Sequence, residues 1–203
     1  MFGNKILLVV ASVTFSGCLL AQNLNDQVME IANSYEGGGY KWSSSGAPKS
    51  LYFKDTKILA KSAEGTFCSG YTFTVAYDVM TNNQLLEDLD LSTVKWLQRS
   101  WYGSTEESAE SQCLFALTKL DLGRKVAHKD AKAGDFVQFW RNNKSGHSVI
   151  FLDWIKNDIG KITGLKYRST QKKTNGIGDR IETVGNGERD ITIDRLYIVR
   201  IKG

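Results

Sequence analysis

The sequence predicts an α+β fold in which N-terminal helices pack on an antiparallel β-sheet. Apolar residues recur with helical spacing before Gly123, and β-rich segments separated by polar turns follow it. This order of helices and then strands favours α+β over a doubly wound α/β fold. The chain has 203 residues, of which 41% are hydrophobic and one is proline, which is enough for one sizeable core. We expect a single domain over residues 24–203.

Residues 1–21 have the pattern of an export leader, because Lys5 precedes a short apolar run that ends in small residues. Two processing routes stay open. Residues 15–18 resemble a lipoprotein box, in which Cys18 would carry a lipid, and ordinary cleavage after Ala21 is the alternative. Both routes predict an exported protein, which is periplasmic, an outer-membrane lipoprotein or secreted. A lipid on Cys18 would be its one membrane anchor.

The charge of the chain is mildly positive. It has 26 Lys and Arg against 22 Asp and Glu, a formal charge of +4, and the basic residues are spread along the chain. This distribution argues against a nucleic-acid partner. The aspartates show no metal-ligand spacing with either histidine, so no metal or other cofactor is expected. We expect a monomer.

Three segments have the periodicity of helices. Residues 26–33 predict a short first helix. The apolar residues after Cys68 recur at i, i+3, i+4, i+7 and i+8, which predicts a second helix that begins at or just after the cysteine. A third helix is predicted to begin at a capping box of Ser104 and Glu107 and to end before Gly123.

Four later segments are rich in β-branched and aromatic residues and predict strands. They are residues 135–140, 147–154, 162–169 and 191–201. Residues 175–178 are rich in glycine but lack the spacing and the lysine of a phosphate-binding loop. We interpret them as a mobile turn beside the site.

Cys68 lies where a loop meets a predicted helix. Free backbone N–H groups and the positive end of the helix dipole at this point favour a thiolate, and they can also hold an oxyanion. The competing interpretation is that Cys68, between Phe67 and Tyr71, is a small buried apolar residue. Cys113 belongs to the apolar stripe of the third helix.

A thiol nucleophile needs a general base, and the chain has two histidines, His128 and His147. His147 opens a predicted strand, whereas His128 lies in a charged stretch and is interpreted as a solvated loop residue. A hairpin turn near residues 157–160 would bring Ser169 opposite His147, with Gln171 two residues along on the same face. Gln171 has the reach and the carbonyl acceptor to orient the imidazole, so we favour it over Ser169.

Three motifs resemble those of the NlpC-type family of bacterial cell-wall cysteine peptidases, a CHAP-related family with a papain-like core. They are CSG at residues 68–70, AGDFVQF at residues 133–139 and GHSVI at residues 146–150, in the family's order. The resemblance covers roughly residues 35–171. It implies a papain-like fold and hydrolysis of amide bonds in peptidoglycan peptides.

By this resemblance Cys68 would be the nucleophile, His147 the base, and Gln171 or Ser169 the third polar residue. Tyr40, in a segment similar to the family's aromatic segment, would support the oxyanion site. We add two candidate substrate contacts. Ser69 adjoins the nucleophile, and Trp42 lies in a glycine-rich loop that would leave its ring near the surface.

Two alternatives stay open from the sequence. The family commonly has Asp before its cysteine, where this chain has Phe67, and the stretches before Cys68 and over residues 85–123 are longer. These departures allow a non-catalytic envelope-binding or scaffold domain on the same fold, with Cys68 inert or bonded to Cys113. A transferase would use the same Cys/His pair and differ only in its acceptor.

Overall fold

Most of the sheet follows the helices, as the sequence predicts, but three short strands lie between the first two helices. In the computed structural model, which describes residues 23–203, the α-helices are α1 (Leu24–Asn33), α2 (Cys68–Asn82), α3 (Leu91–Trp101) and α4 (Cys113–Lys119). The strands are β1 (Gly37–Gly38), β2 (Leu51–Phe53), β3 (Thr56–Leu59), β4 (Gly123–Val126), β5 (Phe136–Arg141), β6 (Gly146–Lys156), β7 (Ile162–Gln171), β8 (Gly176–Thr183) and β9 (Ile191–Ile201). The α+β class and the four predicted strands are confirmed.

One antiparallel sheet contains strands β1 and β4 to β9, in the order β1-β8-β7-β6-β5-β9-β4. Strands β2 and β3 form a separate hairpin before α2. Helix α2 packs on β6 and β7, and α4 packs on β4, β5 and β9. Helix α2 therefore packs on the strand that contains His147 and on the strand that ends at Gln171.

Helix α1 joins the start of the chain to the sheet. The side chain of Asn23 caps the helix by accepting a hydrogen bond from the backbone N–H of Asn25. Val28 and Ala32 are buried, and α1 packs against α2. The buried Asn25 donates from Nδ2 to Asp135 Oδ1 at 2.9 Å. This bond ties α1 to the residue that precedes β5.

The sheet has a hydrophobic core on each face. The helices cover one face, and its core includes Tyr71, Phe73, Met80, Leu97, Trp101, Leu117, Phe136 and Ile150. The core on the other face includes Val137, Phe139, Val149, Phe151, Trp154, Leu165, Tyr167 and Ile198. Successive residues of β5 and β6 alternate between these two cores, as expected for strands that are buried on both faces.

The predicted capping box of the third helix is wrong by one residue. Thr105 and Ser108, rather than Ser104 and Glu107, exchange backbone N–H to hydroxyl bonds at 3.2 Å each. Both hydroxyls bond within this short turn, as Ser and Thr commonly do. The chain continues in turns, and α4 begins only at Cys113.

The predicted mobile turn at residues 175–178 is also wrong. Asn175 takes the left-handed conformation with φ 48°, and Gly176 then begins β8, which pairs with β7 along its whole length. Ile177 pairs with Gly37 on the other side. The glycines allow close approach rather than disorder, because a Cβ on Gly176 would lie 2.1 Å from the carbonyl oxygen of Gly37.

The register of β6 and β7 differs from the predicted hairpin by two residues. Ile150 lies opposite Arg168, and Phe151 lies opposite Tyr167. Extending this register towards the open end of the hairpin places Gln171, rather than Ser169, across from His147. The shift of two residues keeps the same side chains on the same face.

Among the described residues, no helix is long and apolar enough to cross a membrane. The predicted leader, with Cys18 and both of its processing routes, lies outside the described residues 23–203.

Candidate active site

Cys68 is the first residue of α2. Phe67 precedes it in an extended conformation, with φ −140° and ψ 168°, and no side chain caps the helix. The N–H groups of the first helical turn are therefore available near the thiol. Ser69 Oγ lies 3.9 Å from Cys68 Sγ.

The loop over residues 37–46, here called the glycine loop, packs against the start of α2. The backbone N–H of Phe67 donates to Gly46 O at 3.2 Å, and Tyr102 Oη donates to Ser45 O at 2.8 Å. A Cβ on Gly70 would lie 2.2 Å from the carbonyl carbon of Gly46. Close packing of these two glycines fixes the backbone on both sides of Cys68.

His147 is the second residue of β6 and is only 7% exposed. Two aromatic rings meet its imidazole edge-on, Phe139 at 5.7 Å and Tyr167 at 5.5 Å between ring centroids. The imidazole Nε2 lies 3.4 Å from Gln171 Oε1. Nδ1 is then the ring nitrogen that remains for Cys68.

Thr72 holds the cysteine helix and the histidine strand together. Its Oγ1 donates to Cys68 O at 2.9 Å and lies 3.1 Å from Ser148 Oγ. Trp101 Nε1 donates to the same hydroxyl at 3.1 Å. This buried network joins α2, β6 and α3, so the distance between the thiol and the imidazole is set by packed elements rather than by a loop.

The surroundings of Cys68 favour its thiolate. Burial alone would raise the pKa of the thiol, but a hydrogen bond from His147 and the charge of its imidazole oppose this. The backbone N–H of Ser148 and the hydroxyl of Ser69 add further hydrogen bonds, and the pKa falls from 9.0 to about 7. Burial raises the pKa of Cys113 to about 12, so this thiol is inert near neutral pH.

Cys68 and Cys113 are both free thiols in the described residues. The alternative in which Cys68 is bonded to Cys113 is therefore not what the structure contains. Cys113 is fully buried at the start of α4, as its place on an apolar stripe predicts.

A cleft of about 440 Å³ opens over the pair. Its lining comes from the glycine loop, the start of α2, the turn after α3, and strands β5 and β6: Trp42, Phe67, Cys68, Ser69, Tyr102, Ser104, Gln112, Gln138, Trp140, Lys144, Ser145, Gly146, His147 and Ser148. Trp42 is 77% exposed at its rim and stacks on Phe67, with ring centroids 6.1 Å apart and planes 16° apart. The volume of the cleft lies in the range of ligand pockets, and aromatic residues form part of its walls.

Tyr40 and Ser169, the other two residues predicted for the catalytic site, do not line the cleft. Tyr40 forms a parallel bridge with Thr66, and burial together with the charge of Cys68 raises the pKa of its phenol. Ser169 lies fully buried, and its hydroxyl donates to Ser148 O at 2.7 Å. It supports the backbone of the histidine strand, while Gln171 contacts the imidazole.

The sequence does not predict an ion-pair cluster around Glu182, which supports the aromatic rings next to His147. Tyr167 donates from its hydroxyl to Glu182 Oε1 at 2.6 Å, and Arg141 binds the same carboxylate at 2.7 and 2.8 Å. Arg180 lies 2.8 Å from Glu182 as well. The guanidinium of Arg141 also covers the ring of Phe139, at 5.0 Å from its centroid. The two rings that hold His147 are thereby fixed to one buried carboxylate.

His128 is not the solvated residue that the charged stretch predicts. It is half-buried, with its Nε2 3.1 Å from Leu196 O and its ring edge-on to Trp154 at 6.0 Å. No group of three or more potential metal ligands occurs within residues 23–203.

Comparison of the chain with protein-family models, with curated proteins and with solved structures finds no match. The resemblance to the NlpC-type family therefore stays a prediction from its motifs.

Proposed function

We propose that the protein is an exported cysteine peptidase or amidase with a papain-like core. One observation carries the proposal. The Cys68 thiol at the start of a helix lines the same cleft as His147, whose Nε2 lies 3.4 Å from the carboxamide oxygen of Gln171. A thiol, an imidazole and an acceptor that orients the imidazole are the three parts that thiol hydrolysis requires.

In this reaction His147 takes the proton of Cys68, and the sulfur attacks the carbonyl carbon of an amide. The N–H groups at the start of α2 hold the oxyanion, with Tyr40 as a further candidate donor. Collapse of the intermediate breaks the C–N bond, and the amine leaves with the proton from His147. Water then attacks the thioester, which releases a carboxylic acid and restores the thiol.

The proposed substrate class rests on the resemblance of three motifs in this chain to those of cell-wall peptidases. We propose peptide amide bonds of peptidoglycan, with Trp42 stacking on substrate at the rim of the cleft. The aromatic walls, the exposed indole and the volume of the cleft support a peptide ligand. The predicted leader supports a substrate outside the cytoplasm.

The chain supplies a matched control for each half of the pair. We expect Cys68→Ala and His147→Ala each to abolish the release of fragments from purified peptidoglycan, measured by mass spectrometry. Cys113→Ala and His128→Ala change the same residue types away from the cleft, and both should retain activity. Circular dichroism checks the fold of all four. Full activity in either of the first two variants would contradict the proposal.

A non-catalytic binding domain is the second candidate. Phe67, where the similar family has Asp, packs between Trp42 and Tyr102 with ring centroids 6.1 and 5.9 Å away. This aromatic stack favours ligand binding as much as catalysis. Wild-type protein that sediments with peptidoglycan but releases no fragment from it would favour this candidate over the enzyme.

A further inference from the structure

The side chain of Gln138 lines the same cleft with its carboxamide oxygen unpaired. Gln138 is 1% exposed, and within residues 23–203 its Oε1 has no hydrogen-bond partner. Buried carbonyl oxygens nearly always accept a hydrogen bond, because an unpaired one is costly. An unpaired acceptor on a residue that lines a ligand cleft therefore points to a donor on the ligand.

The orientation of this carboxamide follows from its contacts. Gln138 Nε2 donates to Phe139 O at 3.2 Å. A backbone carbonyl can only accept, so the nitrogen must be the end that faces it and the oxygen must be the free end. A Cβ on Gly146 would lie 3.0 Å from Gln138 Nε2 and 2.9 Å from the indole of Trp140. The absence of a side chain at Gly146 lets the carboxamide pack directly beside the residue before His147.

The strand register places Gln138 next to the reactive pair. Gln138 lies opposite Ser148 in the antiparallel pairing of β5 and β6, and paired residues share a face of the sheet. The backbone N–H of Ser148 hydrogen-bonds Cys68, and Ser148 follows His147 directly. A ligand group bound to Gln138 would thus lie beside the thiol that attacks the substrate.

We propose that Gln138 is a substrate-recognition residue whose Oε1 accepts the amide N–H of the residue on the acyl side of the cleaved bond. This inference rests on the proposed function. A carbonyl oxygen attracts a donor and repels an oxyanion or a carboxylate. Lys144 lines the same cleft, and its charge disfavours an ammonium group there. The recognised group is therefore a neutral amide N–H, which selects bonds inside a peptide over bonds next to a free amino terminus.

Alkylation of Cys68 tests this without requiring hydrolysis. The probes are an iodoacetyl-capped dipeptide amide and the same compound methylated on the capping amide nitrogen. The thiolate forms a bond to the methylene carbon and iodide leaves, and the amide nitrogen is as many bonds from that carbon as the acyl-side nitrogen is from an attacked carbonyl carbon. Rates are divided by those of glutathione, and mass spectrometry assigns the alkylated cysteine.

We expect wild-type protein to prefer the N–H probe by roughly 10- to 100-fold. Gln138→Met keeps the length of the side chain but loses the acceptor, so its preference should fall to that of the added methyl group alone. The ratio of the two probes cancels any change in the nucleophilicity of the thiol. Gln98→Met, on α3 outside the cleft, is the matched control.

Equal ratios in wild type and Gln138→Met, or no preference in wild type, would overturn the inference. Digestion of peptidoglycan is measured in parallel. A preference for the N–H probe without digestion would contradict the proposed function and leave the acceptor role standing, and digestion without the preference would do the reverse.

Discussion

Gln171 Oε1 lies 3.4 Å from Nε2 of His147, across the open end of the hairpin between β6 and β7. This contact engages Nε2 and leaves Nδ1 as the ring nitrogen for Cys68. We expect Gln171→Ala to leave the fold intact and to lower kcat roughly 100-fold, with little change in KM, because the imidazole loses its orientation. Gln171→Glu restores an acceptor and should recover activity, as measured by steady-state hydrolysis of a peptide substrate.

The control for this variant is Ser169→Ala, which removes the other candidate for the third residue. The Ser169 hydroxyl bonds to Ser148 O rather than to the imidazole. A larger loss of kcat in Ser169→Ala than in Gln171→Ala would reverse the assignment.

The pKa of Cys68 gives a second prediction. Because it is lowered to about 7, mainly by His147 acting against burial, alkylation by iodoacetamide should rise with pH and level off above neutrality. In His147→Ala the burial remains without the opposing imidazole, so the midpoint should move upward by one unit or more. The rate at pH 7 should fall roughly 10-fold. Alkylation reactions quenched at fixed times and analysed by mass spectrometry give the pH profile of the rate for wild type and for His147→Ala.

Cys113 is the internal reference in that experiment. Its pKa is raised to about 12 by burial, so it should stay unmodified below pH 9 in both proteins. An unchanged midpoint in His147→Ala would mean that the imidazole does not act on the thiol.

The sequence predicts the reactive pair because the signals are local. The helical period after Cys68 and the strand that begins at His147 each lie within about ten residues of the side chain they position. The Gln171 prediction survives a register error of two residues, since side chains on a strand repeat with that period.

The residues that support the reactive pair from other strands could not be predicted from such local patterns. Glu182 meets Arg141 and Tyr167 only because β8 follows β7 in the sheet and a buried carboxylate needs cationic partners. Asn175 and Gly176 have the composition of a turn, but strand pairing with β1 and β7 overrides that preference. These are contacts between segments far apart in the chain, which composition and periodicity do not encode.

Gly46 gives a third prediction, about the backbone that holds Cys68. It has φ +65°, and a Cβ there would lie 2.2 Å from the ring of Phe67. Gly46→Ala should therefore carry a backbone cost of about 1 kcal/mol and an overpacking cost of about 1–3 kcal/mol in unfolding free energy. It should also lower the rate of Cys68 alkylation, because Phe67 must move and Cys68 adjoins it.

Gly160→Ala separates these two costs. Gly160 has φ +77°, with nothing within 4 Å of an added Cβ, so only the backbone cost applies. Urea unfolding of both variants measures the difference. Equal losses of unfolding free energy in Gly46→Ala and Gly160→Ala would mean that the loop at Gly46 moves to accommodate the added Cβ without disturbing the start of α2.

Glu182 gives the last prediction, about the cluster behind His147. Burial would raise the pKa of its carboxyl, but hydrogen bonds from Arg141 and Tyr167 and the charges of Arg141 and Arg180 lower it. A carboxylate whose pKa is depressed by folding stabilises the protein above its unfolded pKa. That stability is lost as the pH falls below about 4.5 towards the folded pKa. Glu182→Gln should cost about 3 kcal/mol at pH 7, because Arg141 is left buried without its partner.

The free energy of unfolding, followed in urea from pH 7 to pH 3, tests this. The gap between wild type and Glu182→Gln should narrow as the pH falls, since protonation removes the same charge from the wild type. Glu64→Gln, which changes a glutamate paired with Lys41 on the surface, should be as stable as the wild type at every pH.

Glu182 also anchors Tyr167, whose ring centroid lies 5.5 Å from that of the His147 imidazole. Glu182→Gln should therefore lower kcat while leaving KM nearly unchanged. A loss of stability with unaltered kcat would restrict the cluster to a structural role.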